Sequence, residues 1–250
     1  MQDTYIGDEG KGFPLVLVHG FLGSSKMWKP QIDFFKDHFR IITPDLPGFG
    51  KSNKAKSHNS IQSIANLLIN CLEEKKIHKF HLLGHSMGGM IVQEMAKKVG
   101  DKISKLVCYS TGPRGEMPGR FETVDESREN LQKNGLETMA RNIAKTWFIK
   151  GENAKYFDIC IDSGKQTSME TADNSLVAIK NWNGVDSLKN IKNETLIVWG
   201  DQDKSYNLEQ IQTLENNIEN SKLIIFKNCA HNVHLEQPDQ FNKTIKDFLL

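Results

Sequence analysis

The sequence predicts an α/β protein in which a mainly parallel central sheet is flanked by helices and carries a small helical cap insertion. Three observations predict this class: six short apolar runs, amphipathic helical patterns between them, and a long middle stretch without a strand pattern. Apolar runs that do not alternate with polar residues are typical of strands buried on both faces, as in a parallel sheet. Alternation of strands and helices places such a sheet between two helical layers.

The six predicted strands share branched or aromatic residues and end at turn-forming or polar residues. They cover 13–20, 40–44, 80–84, 105–109, 195–199 and 222–226. Helical patterns cover 61–74, 88–99 and 240–250. The pattern at 61–74 places Ile61, Ile64 and Leu68 on one stripe. Ser60 precedes it as the predicted N-cap, so this segment is predicted to be an amphipathic helix.

The middle stretch, 112–186, interrupts this alternation. It opens with a loop at 112–119 that is rich in glycine and proline, and continues with helical patterns such as 136–148. We therefore predict a core in two parts, 1–111 and 187–250, with a helical cap insertion over 112–186.

Composition excludes several partner classes. The 250 residues include 32 Lys and Arg against 31 Asp and Glu, a balance that gives no electrostatic reason to expect nucleic acid or an anionic membrane as partner. Residues 1–4 lack the pattern of a signal peptide, and no apolar run approaches the length of a membrane span. The four cysteines lack metal spacing and are predicted to be reduced thiols: Cys71, Cys108, Cys160 and Cys229. We expect a cytoplasmic protein with a small-molecule partner; the sequence predicts no oligomeric state.

One pentapeptide carries a nucleophile signature. Residues 84–88 read Gly-His-Ser-Met-Gly, a G-x-S-x-G pattern between a predicted buried strand and a predicted helix. In that context the serine occupies a strained strand-to-helix turn that exposes its hydroxyl. The following helix directs its N-terminal N–H groups at a developing oxyanion. Ser86 is therefore the predicted nucleophile.

A serine nucleophile needs a base and an acid, which follow it in the chain in the order acid, then histidine. Asp201 and Asp203 compete for the acid after the strand at 195–199; we favour Asp203, because Asp201 is better placed to bracket the turn. His231 and His234 compete for the base after the last strand. We favour His231, the first histidine beyond that strand, and expect His234 to be a buried structural residue.

The loop after the first strand supplies the predicted oxyanion hole. Gly20 lets the backbone approach the substrate closely, so that the N–H of Phe21 and the N–H of Met87 can both point at the oxyanion. We expect the neighbouring His19 to hold the loop by hydrogen bonds.

Five motifs stand in one order along the chain: His-Gly-Phe at 19–21, Asp-Leu-Pro-Gly-Phe-Gly-Lys-Ser at 45–52, Gly-His-Ser-Met-Gly-Gly at 84–89, Gly-Asp-Gln-Asp at 200–203 and Ala-His at 230–231. Together they resemble the α/β-hydrolase superfamily. The resemblance implies the α/β-hydrolase fold, no cofactor, and cleavage of esters, lactones, amides or activated carbon bonds. No metal is expected either, because the two histidines and Glu236 lack the H-E-x-x-H spacing and a third ligand. Within the superfamily the chain is most similar to small carboxylesterases and 3-oxoadipate enol-lactonases.

The resulting expectation is a serine hydrolase that cleaves a small carboxylic ester or lactone through an acyl-enzyme on Ser86. Alternatives on the same triad are a carbon–carbon bond hydrolase, a perhydrolase and an acyltransferase; a further alternative is a receptor-like binding protein. His85 disfavours the carbon–carbon hydrolases, which typically have Asn before the nucleophile. Trp147 and Trp182 are expected either to line the substrate pocket or to pack the cap onto the core.

Overall fold

The computed structural model describes residues 4–116 and 118–250. Residues 1–3 and Met117 lie outside this description. The first three belong to the segment analysed for a signal peptide, and Met117 belongs to the predicted loop at 112–119.

A seven-stranded sheet forms the centre of the described chain. Its strands are β1 (Ile6–Glu9), β2 (Pro14–Val18), β3 (Arg40–Pro44), β4 (Phe80–His85), β5 (Ile103–Tyr109), β6 (Glu194–Gly200) and β7 (Ser221–Phe226). Their spatial order is β1-β3-β2-β4-β5-β6-β7. Only β1 is antiparallel to its neighbour, so the predicted fold class, an α/β protein with a mainly parallel sheet, is confirmed.

The edge strand β1 is the strand that the apolar runs did not predict. Gly7 is its one buried residue, whereas Asp8 and Glu9 face solvent. Arg40 of β3 forms an ion pair with Asp8 across the edge, with 2.6 Å between Nη2 and Oδ2. A short, charged edge strand carries no apolar run because it does not lie between two helical layers.

Nine helices accompany the sheet in the described residues. They are α1 (Lys29–Phe35), α2 (Ile61–Glu74), α3 (Met87–Val99), α4 (Val124–Thr146), α5 (Phe157–Gly164), α6 (Met169–Asn181), α7 (Leu208–Asn217), α8 (Val233–Glu236) and α9 (Pro238–Leu249). The helix predicted at 61–74 has the observed bounds of α2, and the Ser60 hydroxyl caps it by accepting from the Ser63 N–H.

The core lies on both faces of the sheet. Along β2, Val16 and Val18 pack into the cluster that contains α2, α3 and α7. Leu15 and Leu17 pack into a second cluster with α1 and α9. Both faces of the central strands are therefore apolar, which is why their sequences do not alternate.

Helices α4, α5 and α6 form the cap between β5 and β6. Between 112 and 186, apart from Met117, the structure has one isolated bridge, Arg114 to Asn183, and no sheet strand. Gly135 has φ 77° and ψ 167° inside α4 and divides that helix, which explains why the sequence pattern predicted only its second part. An ion pair from Arg128 to Asp173 ties α4 to α6.

Three further observations concern the described residues. None of their helices combines the length and the apolar character needed to cross a lipid bilayer. Within the same residues, no group of three or more His, Cys, Asp or Glu side chains is arranged to hold a metal ion. All four cysteines are free thiols.

Candidate active site

Ser86 lies at the turn between β4 and α3 in a strained conformation. Its backbone has φ 56° and ψ −120°, outside the regions that non-glycine residues prefer. The Ser86 N–H donates to the Tyr109 carbonyl at 2.9 Å. The Thr111 hydroxyl donates to the Ser86 carbonyl at 2.8 Å. These bonds to β5 and the residues beyond it hold the turn in place, as a nucleophile elbow requires.

The glycines on either side of Ser86 permit close backbone contacts. A Cβ atom on Gly88 would lie 2.4 Å from the Val18 carbonyl oxygen, and one on Gly84 would lie 2.3 Å from the Gly88 carbonyl oxygen. Both obstacles are backbone atoms that cannot rotate away. The G-x-S-x-G spacing is therefore required by the packing of β2 and β4 against the start of α3.

His231 and Asp203, predicted as base and acid, lie in contact below the protein surface. His231 Nδ1 is 2.8 Å from Asp203 Oδ2, and the two side chains are 2% and 0% exposed. The second carboxylate oxygen accepts from the N–H of Ser205 at 2.7 Å and of Tyr206 at 3.3 Å. Because the carboxylate accepts at Nδ1, the imidazole carries its proton there and leaves Nε2 as a proton acceptor.

The two rival residues have other partners. Asp201 Oδ1 accepts from the Asn228 N–H at 2.8 Å, and Oδ2 lies 3.6 Å from Lys227 Nζ, so Asp201 joins the loops after β6 and β7. His234 is fully buried, with Nδ1 2.9 Å from the Tyr109 hydroxyl. Burial lowers the pKa of His234 to about 3, which keeps its ring neutral near pH 7.

Two residues without a predicted role adjoin His231. The ring of His85 lies 4.6 Å from the ring of His231, centroid to centroid, and its Nε2 is 3.3 Å from the His231 carbonyl oxygen. Burial lowers the pKa of His85 far below its usual range, so this ring is neutral beside the base. The ring of Tyr206 stacks on that of His231, with 5.9 Å between centroids. Two buried rings therefore lie against the predicted base.

The loop with the predicted oxyanion donor approaches Ser86 closely. A Cβ atom on Gly20 would lie 2.9 Å from Ser86 Cβ, and Phe21 follows Gly20 directly. Met87 is the first residue of α3, a position whose N–H has no partner within the helix. His19 holds this loop: its Nε2 accepts from the Leu46 N–H at 2.9 Å, and its Nδ1 lies 2.8 Å from the Gly20 carbonyl oxygen.

The two tryptophans expected at the pocket lie in different places. Trp147, at the end of α4, has its ring centroid 6.1 Å from that of His231. Trp182 is 2% exposed, and its indole N–H donates to Glu94 at 2.9 Å. Glu94 lies about 12 Å along α3 from Ser86, given the rise of a helix. This bond favours the second of the two expectations for Trp182, that it packs the cap onto α3.

Comparison with known proteins identifies the family. The family described as alpha/beta hydrolase fold matches residues 14–238. The chain belongs to this family. It is 29% identical to a pimeloyl-(acyl-carrier protein) methyl ester esterase of Legionella pneumophila, over 99% of this chain and 100% of that protein. The family match confirms the superfamily resemblance of the five motifs. Relatives named as a hydrolase and an esterase support the prediction that this protein is a hydrolase.

Solved structures of α/β hydrolases share the fold over nearly the whole chain. An esterase from Exiguobacterium antarcticum superposes with a TM-score of 0.91 at 24% identity, covering 98% of this chain and 94% of that one. An enol-lactonase from Burkholderia xenovorans superposes with a TM-score of 0.90 at 22% identity, covering 98% and 96%. At these identities the structural likeness concerns the fold alone.

Proposed function

We propose that this α/β hydrolase is a serine hydrolase that cleaves a small carboxylic ester or lactone through an acyl-enzyme on Ser86. The observation that supports it most is the buried His231–Asp203 pair, whose base lies against His85, the residue that precedes Ser86. A hydroxyl, an imidazole and a carboxylate in this order are the groups that acyl transfer needs.

In the proposed acylation, Ser86 Oγ attacks the substrate carbonyl carbon while its proton moves to His231 Nε2. The N–H groups of Phe21 and Met87 stabilise the oxyanion of the tetrahedral intermediate. The bond to the leaving-group oxygen then breaks, and His231 returns the proton to that oxygen. Asp203 stays ionised and holds the imidazole in the required tautomer.

In the proposed deacylation, a water molecule attacks the acyl carbon and gives one proton to His231 Nε2. The bond between the acyl carbon and Ser86 Oγ breaks, and His231 returns the proton to Oγ. The products are a carboxylic acid and an alcohol, or one hydroxy acid from a lactone. No cofactor enters this cycle.

The relatives support an ester or a lactone as the bond that is cleaved. One relative is named a methyl ester esterase and one structural neighbour an enol-lactonase. An ester and a lactone present the same acyl carbon to Ser86 and differ only in whether the leaving oxygen stays attached. The same proposed triad serves both substrates.

Two contacts join helix α5 of the cap to segments next to the proposed site. In α5, Ser163 Oγ lies 2.8 Å from Ser24 Oγ in the segment that follows the oxyanion loop. Cys160 Sγ of the same helix accepts from Asn232 Nδ2 at 3.4 Å, next to the base. We propose that the cap over 112–186 selects the acyl group and that Trp147 contributes an apolar wall beside His231.

The proposal is tested by a panel of p-nitrophenyl esters and lactones of increasing size. We expect the wild-type protein to turn over short acyl groups and the Ser86→Ala variant to lose at least about 10³-fold in kcat/KM. Ser221→Ala is the matched control, because Ser221 begins the edge strand β7, whereas Ser86 follows the carboxyl end of the central strand β4. Near-full activity of Ser86→Ala would refute the proposal.

A further inference from the structure

Hydrogen bonds to the cap flank the proposed base on both sides. His231 lies between Ala230 and Asn232 in the chain. The Asn232 N–H donates directly to the Trp147 carbonyl of the cap at 3.0 Å. The Ala230 N–H donates to Glu236 Oε2 at 2.6 Å, and the other oxygen of that carboxylate accepts from the cap. The backbone that carries the base is therefore joined to the cap immediately before and immediately after His231.

Glu236, the last residue of α8, bridges two segments with its two carboxylate oxygens. Oε1 accepts from the Ile149 N–H of the cap at 2.7 Å, and Oε2 accepts from the Ala230 N–H beside the base. The residue is half-buried. Because each oxygen receives an N–H donor, the ionised carboxylate is the form that fits both bonds. A glutamine at this position would accept with one oxygen, and its amide group would face the second N–H.

The cap does not depend on Glu236 for its attachment to the core. Asn174 of α6 donates from Nδ2 to Ser57 Oγ at 2.9 Å. The indole N–H of Trp182 donates to Glu94 of α3 at 2.9 Å. Both bonds hold the cap to core segments that precede β5 in the chain, away from the loop that follows β7. Loss of the Glu236 bridge would therefore leave the cap in place and loosen the loop that carries the base.

We propose that Glu236 is a positioning residue, whose carboxylate holds the loop of His231 against the cap so that the imidazole stays in place for proton transfer. It acts through the backbone of Ala230 and not on the reacting atoms. His231 accepts and returns a proton in both halves of the proposed cycle, so a displaced imidazole slows acylation and deacylation alike. The bridge is thus expected to affect the rate of the chemical steps more than the binding of substrate.

The inference rests on the proposed function and is tested by cutting the bridge from each side. Glu236→Gln removes one accepting oxygen, whereas Ile149→Pro removes the donor N–H on the cap and leaves the carboxylate intact. Ile149 is the second residue of a turn closed by the bond from the Gly151 N–H to the Phe148 carbonyl at 3.1 Å. Lys150 follows with φ −81° and ψ 4°, the geometry of a type I turn, in which proline is favoured at the second position.

The readouts are kcat and KM for one p-nitrophenyl ester and the rate at which a fluorophosphonate labels Ser86. For both Glu236→Gln and Ile149→Pro we expect kcat and the labelling rate to fall about tenfold, with KM within about twofold of wild type. Ile149→Ala keeps the N–H and is the matched control on the cap. Gln237→Ala is the matched control on the loop, because the Gln237 side chain donates to the Lys227 carbonyl at 3.0 Å and not to the cap. Both controls should match wild type.

Each other outcome overturns the inference. A raised KM with an unchanged kcat would show that the bridge shapes the substrate site and does not hold the base. An unchanged kcat in Ile149→Pro would show that His231 does not need the cap, and this variant decides the question if Glu236→Gln fails to fold. Equal losses in Glu236→Gln and Gln237→Ala would show a general weakening of the loop. The proposed function itself fails in a different way, because the wild-type protein would then give no turnover and no label on Ser86.

Discussion

His231 donates from Nδ1 to Asp203 Oδ2 across 2.8 Å, and both side chains are closed to solvent. The two residues come from separate loops, one after β6 and one after β7, and parallel pairing of those strands brings the loops together. Exclusion of water strengthens the attraction between a carboxylate and an imidazole that gains a proton. The relationship therefore equips His231 to accept the proton of Ser86 in the proposed cycle.

The first prediction concerns the choice between the two aspartates. Asp203→Asn is expected to lower kcat about 10³- to 10⁴-fold, because an amide no longer stabilises the imidazolium or fixes its tautomer. Asp201→Asn is the matched control, since Asp201 bonds to Asn228 and Lys227 and does not contact His231 in the described structure. Equal losses in the two variants, measured with one p-nitrophenyl ester, would contradict the assignment of the acid.

The central strands and the amphipathic helices were predictable because the pattern of their apolar residues matches the faces that they bury. β2 has apolar side chains on both faces and can only be a strand between two layers. α2 has one apolar stripe and a serine cap. β1 was not predictable in this way, because its exposed Asp8 and Glu9 give no apolar signal. Its place is determined by pairing with β3, which the local sequence does not encode.

The same distinction divides the site. Ser86, Asp203 and His231 stand at fixed places relative to strands, so motif and chain order predict them. Tyr206 and His85 contact His231 only in the folded chain, and no sequence pattern predicts these contacts. Trp147 and Trp182 are both aromatic residues of the cap, and their local sequence does not distinguish their roles. Their contacts do: Trp182 donates to Glu94, whereas Trp147 lies beside His231.

A second prediction concerns the glycine after the nucleophile. Gly88→Ala is expected to destabilise the fold by about 2 kcal/mol or more, because its Cβ would meet the Val18 and His19 carbonyl oxygens at 2.4 and 2.6 Å. Gly100→Ala, at the other end of α3, should change stability by less than about 1 kcal/mol, since Gly100 has a helical φ of −56°. Urea unfolding of both variants tests the contrast, and similar midpoints would refute it.

A third prediction concerns the pH dependence of stability. His234 has a pKa of about 3 when folded and an ordinary value of 6.5, so between these values only the unfolded chain binds its proton. The free energy of unfolding must then fall as pH falls through this window, by about 2 kcal/mol from this residue between about pH 7.5 and about pH 5. His234→Gln should lose this part of the slope.

The matched control for that experiment is His78→Gln, because His78 is exposed. Chemical unfolding at about pH 7.5 and about pH 5 gives the slope for each protein. His78→Gln should keep the wild-type slope. A wild-type slope in His234→Gln would show that protonation of His234 does not oppose folding.

A fourth prediction separates the two tryptophans. Trp182→Phe removes the indole donor from Glu94, which is 1% exposed, and should cost about 1–3 kcal/mol of stability. Its kcat/KM should stay within about twofold of wild type. Trp147→Phe should instead change kcat/KM across the acyl series, because Trp147 lies beside His231. A Trp182→Phe variant of wild-type stability and altered acyl preference would reverse these assignments.

The central claim is that Ser86 carries the acyl group during turnover. Acid quenching of the enzyme in the burst phase with a p-nitrophenyl ester, followed by peptide mapping by mass spectrometry, measures this directly. We predict that the acyl mass is found on the peptide that contains Ser86 and is absent from that peptide in Ser86→Ala. An acyl group on another residue, or full turnover by a protein that never acylates Ser86, would contradict the account.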